Sequence, residues 1–164
     1  MGMRDALLPE FDHEIAVARK VLERVAQDKL AWKPHDRSMS LGRLATHVAE
    51  IPHWAQTILN EPEFNMTPSS YQPQEKSTLA DILALFDENT GKARAILTGK
   101  SDAELMSSWS FKQDGKEVFA MPRAAAWRSW VMNHIIHHRG QLSVYLRLTG
   151  SKVPSLYGPS ADES

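Results

Sequence analysis

Apolar residues in this chain recur at three- and four-residue spacing through four long stretches broken by Pro and Gly. That periodicity leaves little besides a set of packed amphipathic helices. Phe11, Ile15, Ala18, Leu22 and Val25 define the first stripe, with Pro9 just upstream suited to a first helical turn. Ser40 is placed to cap a second helix on which Leu44, His47, Ile51, Trp54 and Ile58 share a face. Pro52 removes a backbone donor inside it and predicts a kink over 48–52. Thr78 and Asp81 resemble a capping box that opens a third helix over 79–98, with Leu79, Ile82, Phe86, Ala93 and Leu97 buried and Gly99 as its stop. Pro122 begins a fourth, which runs to Thr149 before Gly150 ends it.

The connections have their own signals. Pro62, Pro68 and Pro73 mark 61–77 as a long surface loop. "SWSFKQDGKEVFAM" alternates polar and apolar residues around Asp114-Gly115, a dipeptide favoured in tight hairpins, so a small β-hairpin is inserted between helices 3 and 4. The Pro-, Gly- and Ser-rich tail reads as extended. The expected fold is all-α: a four-helix bundle with a small β-hairpin, forming a single domain over 1–164.

Composition narrows the function classes. A hydrophobic fraction of 42% with 24% charged residues suits a chain that folds by itself. A net charge of -1 with scattered Lys and Arg offers no basic field for nucleic acid or anionic lipid. Residues 1–11 carry Arg4, Asp5 and Glu10 and no long apolar run, so neither a signal peptide nor a membrane span is expected and a cytoplasmic location is the default. With no cysteine, the chain has no thiol nucleophile and no thiolate ligand, and any metal must be held by His, Asp or Glu.

"HIIHHRGQL", residues 134–142, holds three of the seven histidines. An ideal helix sets Trp127, Val131, His134, His138, Gln141 and Tyr145 within one face. An i,i+4 pair directs two rings to one point, and His47 lies on the buried face of the second helix. Lone histidines on apolar faces are usually core residues, but three buried together each need partners for two ring nitrogens, which favours a shared ion. Three neutral imidazoles from His47, His134 and His138 hold a divalent ion and leave a position open, the pattern of a catalytic site.

His137 sits on the flank of that stripe, His13 and His35 fall outside it, and His53 is about 120° from the stripe of its own helix, as a surface or supporting residue. Glu50-Ile51-Pro52-His53 fits the Glu-x-x-His motif of di-iron bundles, but the required second copy is missing. Glu50, Gln141 and Tyr145 are candidates to orient water or substrate, or to carry a proton. Arg139 points about 140° from His134, towards a salt bridge or dimer contact. Trp54 and Trp127 read as core.

"LATHVAEIPHW", "NHIIHHRGQLSVYLRLTG" and "VPSLYGPSADE" together resemble the DinB-like (DinB/YfiT) superfamily of bacterial four-helix bundle proteins, over nearly the whole chain. The resemblance implies a divalent metal, usually nickel or zinc, on one histidine of helix 2 and two of helix 4, a pattern that falls on His47, His134 and His138. It also implies a homodimer and, in members of known activity, transfer or isomerisation reactions that use bacillithiol, mycothiol or a related low-molecular-weight thiol. The leading expectation is therefore a metal-dependent thiol S-transferase acting on small electrophiles. A metal-dependent hydrolase and a non-catalytic metal-binding or dimerisation protein are the alternatives. Imidazole ligands suit several divalent ions and do not choose between them.

Overall fold

A computed structural model describes residues 2–70 and 72–164. Helix α1 (Met3–Leu22) starts six residues before Pro9, which places that proline inside the helix rather than in its first turn. The early start has a partner elsewhere in the chain. The Met3 and Arg4 amides donate to the Asp102 carboxylate at 3.0 and 3.3 Å, setting a negative charge on the positive end of the helix. A 3₁₀ turn (Gln27–Lys29) and a loop then lead to α2 (Leu41–Glu50), where Ser40 accepts from the Arg43 amide at 2.9 Å.

Pro52 makes its break here as a 3₁₀ turn (Ile51–His53), after which α3 (Trp54–Asn60) resumes. Helix α4 (Leu79–Thr98) is capped by Thr78, which accepts from the Asp81 amide, and Gly99 follows its last residue. A short helix, α5 (Asp102–Met106), was not foreseen. The last long helix has two parts, α6 (Arg123–Trp127) and α7 (Asn133–Leu148), joined by a π-helical turn over Arg128–Met132.

The structure is mostly helical, but its small sheet has three strands, not the two of a hairpin. Strands β2 (Ser108–Gln113) and β3 (Lys116–Pro122) pair antiparallel across Asp114-Gly115, both at positive φ (48° and 78°) as a tight primed turn requires. The third strand, β1 (Glu63–Met66), lies in the segment expected to be a loop and pairs parallel to β2, Phe64 opposite Phe111.

Helix α1 packs on α4 and α7, and α2 packs on the same two, so the consecutive helices α1 and α2 face each other across the bundle diagonal. Phe11, Leu44, Phe86, Trp127 and Ile135 are among the buried residues at the centre. Each such side chain removed from water contributes about 1.5–3 kcal/mol before the entropy of ordering is set against it. The tail forms neither helix nor strand and lies back on the bundle, with Tyr157 at α1 and α7. No helix among the described residues is long and apolar enough to cross a membrane.

Candidate metal centre

Helices α2 and α7 pack side by side, and their contact carries His47, His134 and His138 into one cluster. One ring nitrogen of each lies within 4.8 Å of the others. The Nε2 atoms of His47 and His134 are 3.2 Å apart. Two nitrogens bound tetrahedrally at about 2.0–2.1 Å from one ion would be about 3.3 Å apart. The pair is therefore spaced for a shared ion.

What faces the other ring nitrogens decides which lone pairs are free. His134 Nδ1 is 3.3 Å from the Trp130 carbonyl, which can only accept, so Nδ1 carries the proton. His138 Nδ1 lies 2.7 Å from Gln141 Oε1, one turn along the same helix, with the same result. His47 Nδ1 is buried and faces the Glu50 carboxylate at 3.6 Å, beyond hydrogen-bond distance. The Nε2 lone pairs of His134 and His138 are thus left free, and His47 Nε2 stands beside that of His134. Unprotonated nitrogens that close repel unless a cation sits among them, so the donor set fits a divalent ion.

The surroundings favour the neutral forms of His138 and His134 and the charged form of Glu50. Burial depresses His138 to about 4, with repulsion from His47 and His134 adding to it and the Gln141 contact opposing it. Burial and the neighbouring His47 also lower His134, against the opposing pull of the Trp130 carbonyl. Burial works against the Glu50 charge, but His47, Arg43 and the Gln74 amide outweigh it and hold the carboxyl below its ordinary range. Arg43 Nη2 is 3.0 Å from Glu50 Oε2, and the Gln74 amide donates to Oε1 at 3.3 Å. Glu50 therefore ties a ligand-bearing helix to the 67–77 segment. That segment is also held where Ser40 donates to Glu75 at 2.6 Å and the Lys76 amide donates to Thr46 at 3.1 Å.

The remaining predicted residues separate. Tyr145 turns away, its hydroxyl donating to the Met39 carbonyl at 3.3 Å and its ring edge-on to Trp32. Trp127 and Val131 belong to a fully buried stripe that continues through Ile135, Arg139, Leu142 and Leu146, while His134 and His138 lie beside it, partly exposed. Arg139 meets a buried salt-bridge partner, Glu14, at 2.6 Å. His137 is exposed, with its ring 4.7 Å from that of His138. His13 stacks on Tyr157, and His35 accepts from the Arg37 amide.

Trp54 and His53 line a cleft of about 320 Å³ that His47 and Glu50 also line. Trp54 was expected in the core. Arg43 and the Trp130 carbonyl were missed: Arg43, His47 and Glu50 share one helical face at spacings of four and three, a readable signal, whereas a backbone carbonyl has none.

Comparison with known proteins shows the family and the fold. Two Bacillus subtilis (strain 168) proteins are each 27% identical to this chain: YjoA over 156 residues, 92% of this chain and 93% of its own, and YrdA over 161 residues, 97% and 90%. A DinB-like protein of Bacillus cereus ATCC 10987 has a similar crystal structure, with a TM-score of 0.71 at 21% identity, covering 93% of this chain and 97% of that one. The YjoA structure gives a TM-score of 0.69 at 24% identity, covering 91% and 96%. YfiT from Bacillus subtilis, described as a probable metal-dependent hydrolase with an unusual four-helix bundle topology, gives 0.60 at 19%, covering 91% and 89%. The DinB family model matches residues 3–164, from the first turn of α1 to the C-terminus, and this chain belongs to the DinB family.

Proposed function

We propose that this protein is a divalent-metal enzyme acting on small molecules, with His47, His134 and His138 as ligands, and that its reaction is transfer of a low-molecular-weight thiol to an electrophile. The observation that carries the reading is the convergence of three ring nitrogens, each with its Nδ1 turned to an oxygen. An ion held by three neutral imidazoles keeps its full charge and makes a coordinated thiol or water more acidic.

The residues around the site favour a thiol over water as nucleophile. Glu50 is held ionised by its neighbours and already engages Arg43 and Gln74, which makes it a weak proton acceptor. The Tyr145 hydroxyl is directed to Met39 rather than to the histidines. A thiol, with a pKa of about 8.5 against about 15.7 for water, asks far less of a protein base. With no cysteine in the chain, the thiol must arrive as a co-substrate.

A second reading, hydrolysis of a small substrate, is favoured by the description of YfiT. Metal analysis of the purified chain beside His138→Ala tests the ligand assignment, and equal content in both would reject it. Incubating metal-loaded protein with a panel of thiols and electrophiles tests the reaction. Metal-dependent thiol consumption is expected, whereas turnover of esters without added thiol would establish the second reading instead.

A further inference from the structure

The cleft that His47 and Glu50 line has a mixed wall. Its apolar part is formed by Ile51, Trp54, Phe64 and Leu85. Thr57, Ser70, Gln72, Gln74 and Asn89 add uncharged polar groups. Among the described residues lining it there is no Lys or Arg, and Glu50, the one carboxylate, is already paired with Arg43.

The apolar part is not loose core. Trp54 and Phe64 meet edge-on with ring centroids 4.9 Å apart and planes at 90°. Both rings remain partly exposed where they border the cleft. Behind them, Trp130 stands 5.0 Å from Trp54 and Phe111 stands 6.1 Å from Phe64, so the corner is braced by further aromatic rings. Pro52 contributes to this geometry, because the 3₁₀ turn it sits in immediately precedes Trp54. A perpendicular pair of rings offers a third ring both a face and an edge, the arrangement aromatic groups prefer.

We infer that the substrate of this site is a small neutral molecule with an aromatic or otherwise flat apolar body, seated against Trp54 and Phe64 with its reacting end at His47. The inference rests on the metal-site reading for which end reacts, but not for the binding itself. An anionic group seated against Trp54 and Phe64, away from any ion on the histidines, would lose its hydration and find no side-chain cation among the described lining residues, a cost neutral groups avoid. At about 320 Å³ the cleft is at the small end of ligand sites, which suits a single ring with short substituents. Phosphate monoesters fail the charge requirement and extended polymers the size requirement.

The test is a titration of the full-length protein with benzyl alcohol and with phenyl phosphate, followed by the indole N–H resonance of Trp54, assigned with Trp54→Phe. Benzyl alcohol is expected to move that resonance. Trp54→Ala should weaken it about tenfold, judged by competition for the remaining aromatic resonances, and Trp54→Phe by no more than about threefold. Phe64→Ala gives the same comparison where Trp54→Ala does not fold. In His138→Ala, whose altered residue does not line the cleft, phenyl phosphate should bind at least about tenfold more weakly than benzyl alcohol. Equal binding of the two, an unmoved Trp54 resonance, or unchanged affinity in the alanine variants would overturn the inference. Metal content measured on the same samples reports separately on the three-histidine reading, so the two can fail independently.

Discussion

His47, His134 and His138 are each oriented by a different oxygen: a carboxylate, a backbone carbonyl and a side-chain amide. Removing one such support should loosen the ion without removing a ligand. Glu50→Gln is expected to weaken metal affinity by about 10–100-fold in a chelator competition, with the fold retained by circular dichroism. Unchanged affinity would reduce Glu50 to a partner of Arg43. Acid stability reports on the same cluster. His138 is held near 4 in the fold against an ordinary 6.5, so between those values the unfolded chain binds more protons than the folded one. Metal-free protein should therefore melt at a constant temperature above about pH 6.5 and at falling temperatures as pH drops towards 4, with a shallower fall in His138→Gln. The three histidines were legible because helix periodicity alone brings i,i+4 residues to one side, and because His47 interrupts an apolar stripe. The turn of Tyr145 towards Met39 was not legible, since it depends on where the 33–39 loop lies.

Elements whose limits are set by local chemistry were readable, and those set by distant partners were not. Ser40, Thr78 and Asp114-Gly115 sit at the observed cap, cap and turn. Strand β1 has only four residues between prolines, and its partner β2 lies more than forty positions downstream, so its pairing leaves no local pattern. The π-turn leaves none either. There the Asn133 amide reaches back five residues to Arg128, and an ideal-helix projection wrongly put Trp127 and Val131 on the histidine face. Helix α5 was within reach, because Ser101 and Glu104 form a reciprocal capping box. The start of α1 was not, because the Asp102 carboxylate that caps it comes from α5. One consequence concerns Pro9, now an exposed residue inside a helix, where it removes a backbone hydrogen bond. Pro9→Ala should stabilise the protein by about 2 kcal/mol, the helix gain less the entropy returned to the unfolded chain, measured by urea denaturation. A lower midpoint would mean that the proline ring makes contacts worth more than the bond it displaces.

At the scale of the whole molecule, the bundle is closed by a charge in its core. Arg139 is 2% exposed and Glu14 6%, and their contact at 2.6 Å joins α7 to α1. Tyr157, from the tail, exposes its ring but turns its hydroxyl onto Glu14 at 2.7 Å and onto the Arg139 guanidinium, which also lies 5.0 Å from the ring centroid. Burial and the Glu14 contact raise the Tyr157 pKa, so it stays protonated and can donate to Glu14 at any ordinary pH. Two helices and the tail thus share one polar knot, on a different edge of the bundle from the α2–α7 histidine cluster. Desolvating both charges costs about as much as their attraction returns, so the pair adds little by itself, yet breaking it strands a charge. Arg139→Leu or Glu14→Leu alone should therefore cost about 3–5 kcal/mol, while the double variant recovers most of that loss. Denaturant unfolding of the three variants reads the cycle directly. If the double variant is as unstable as the sum of the singles, the pair is not coupled.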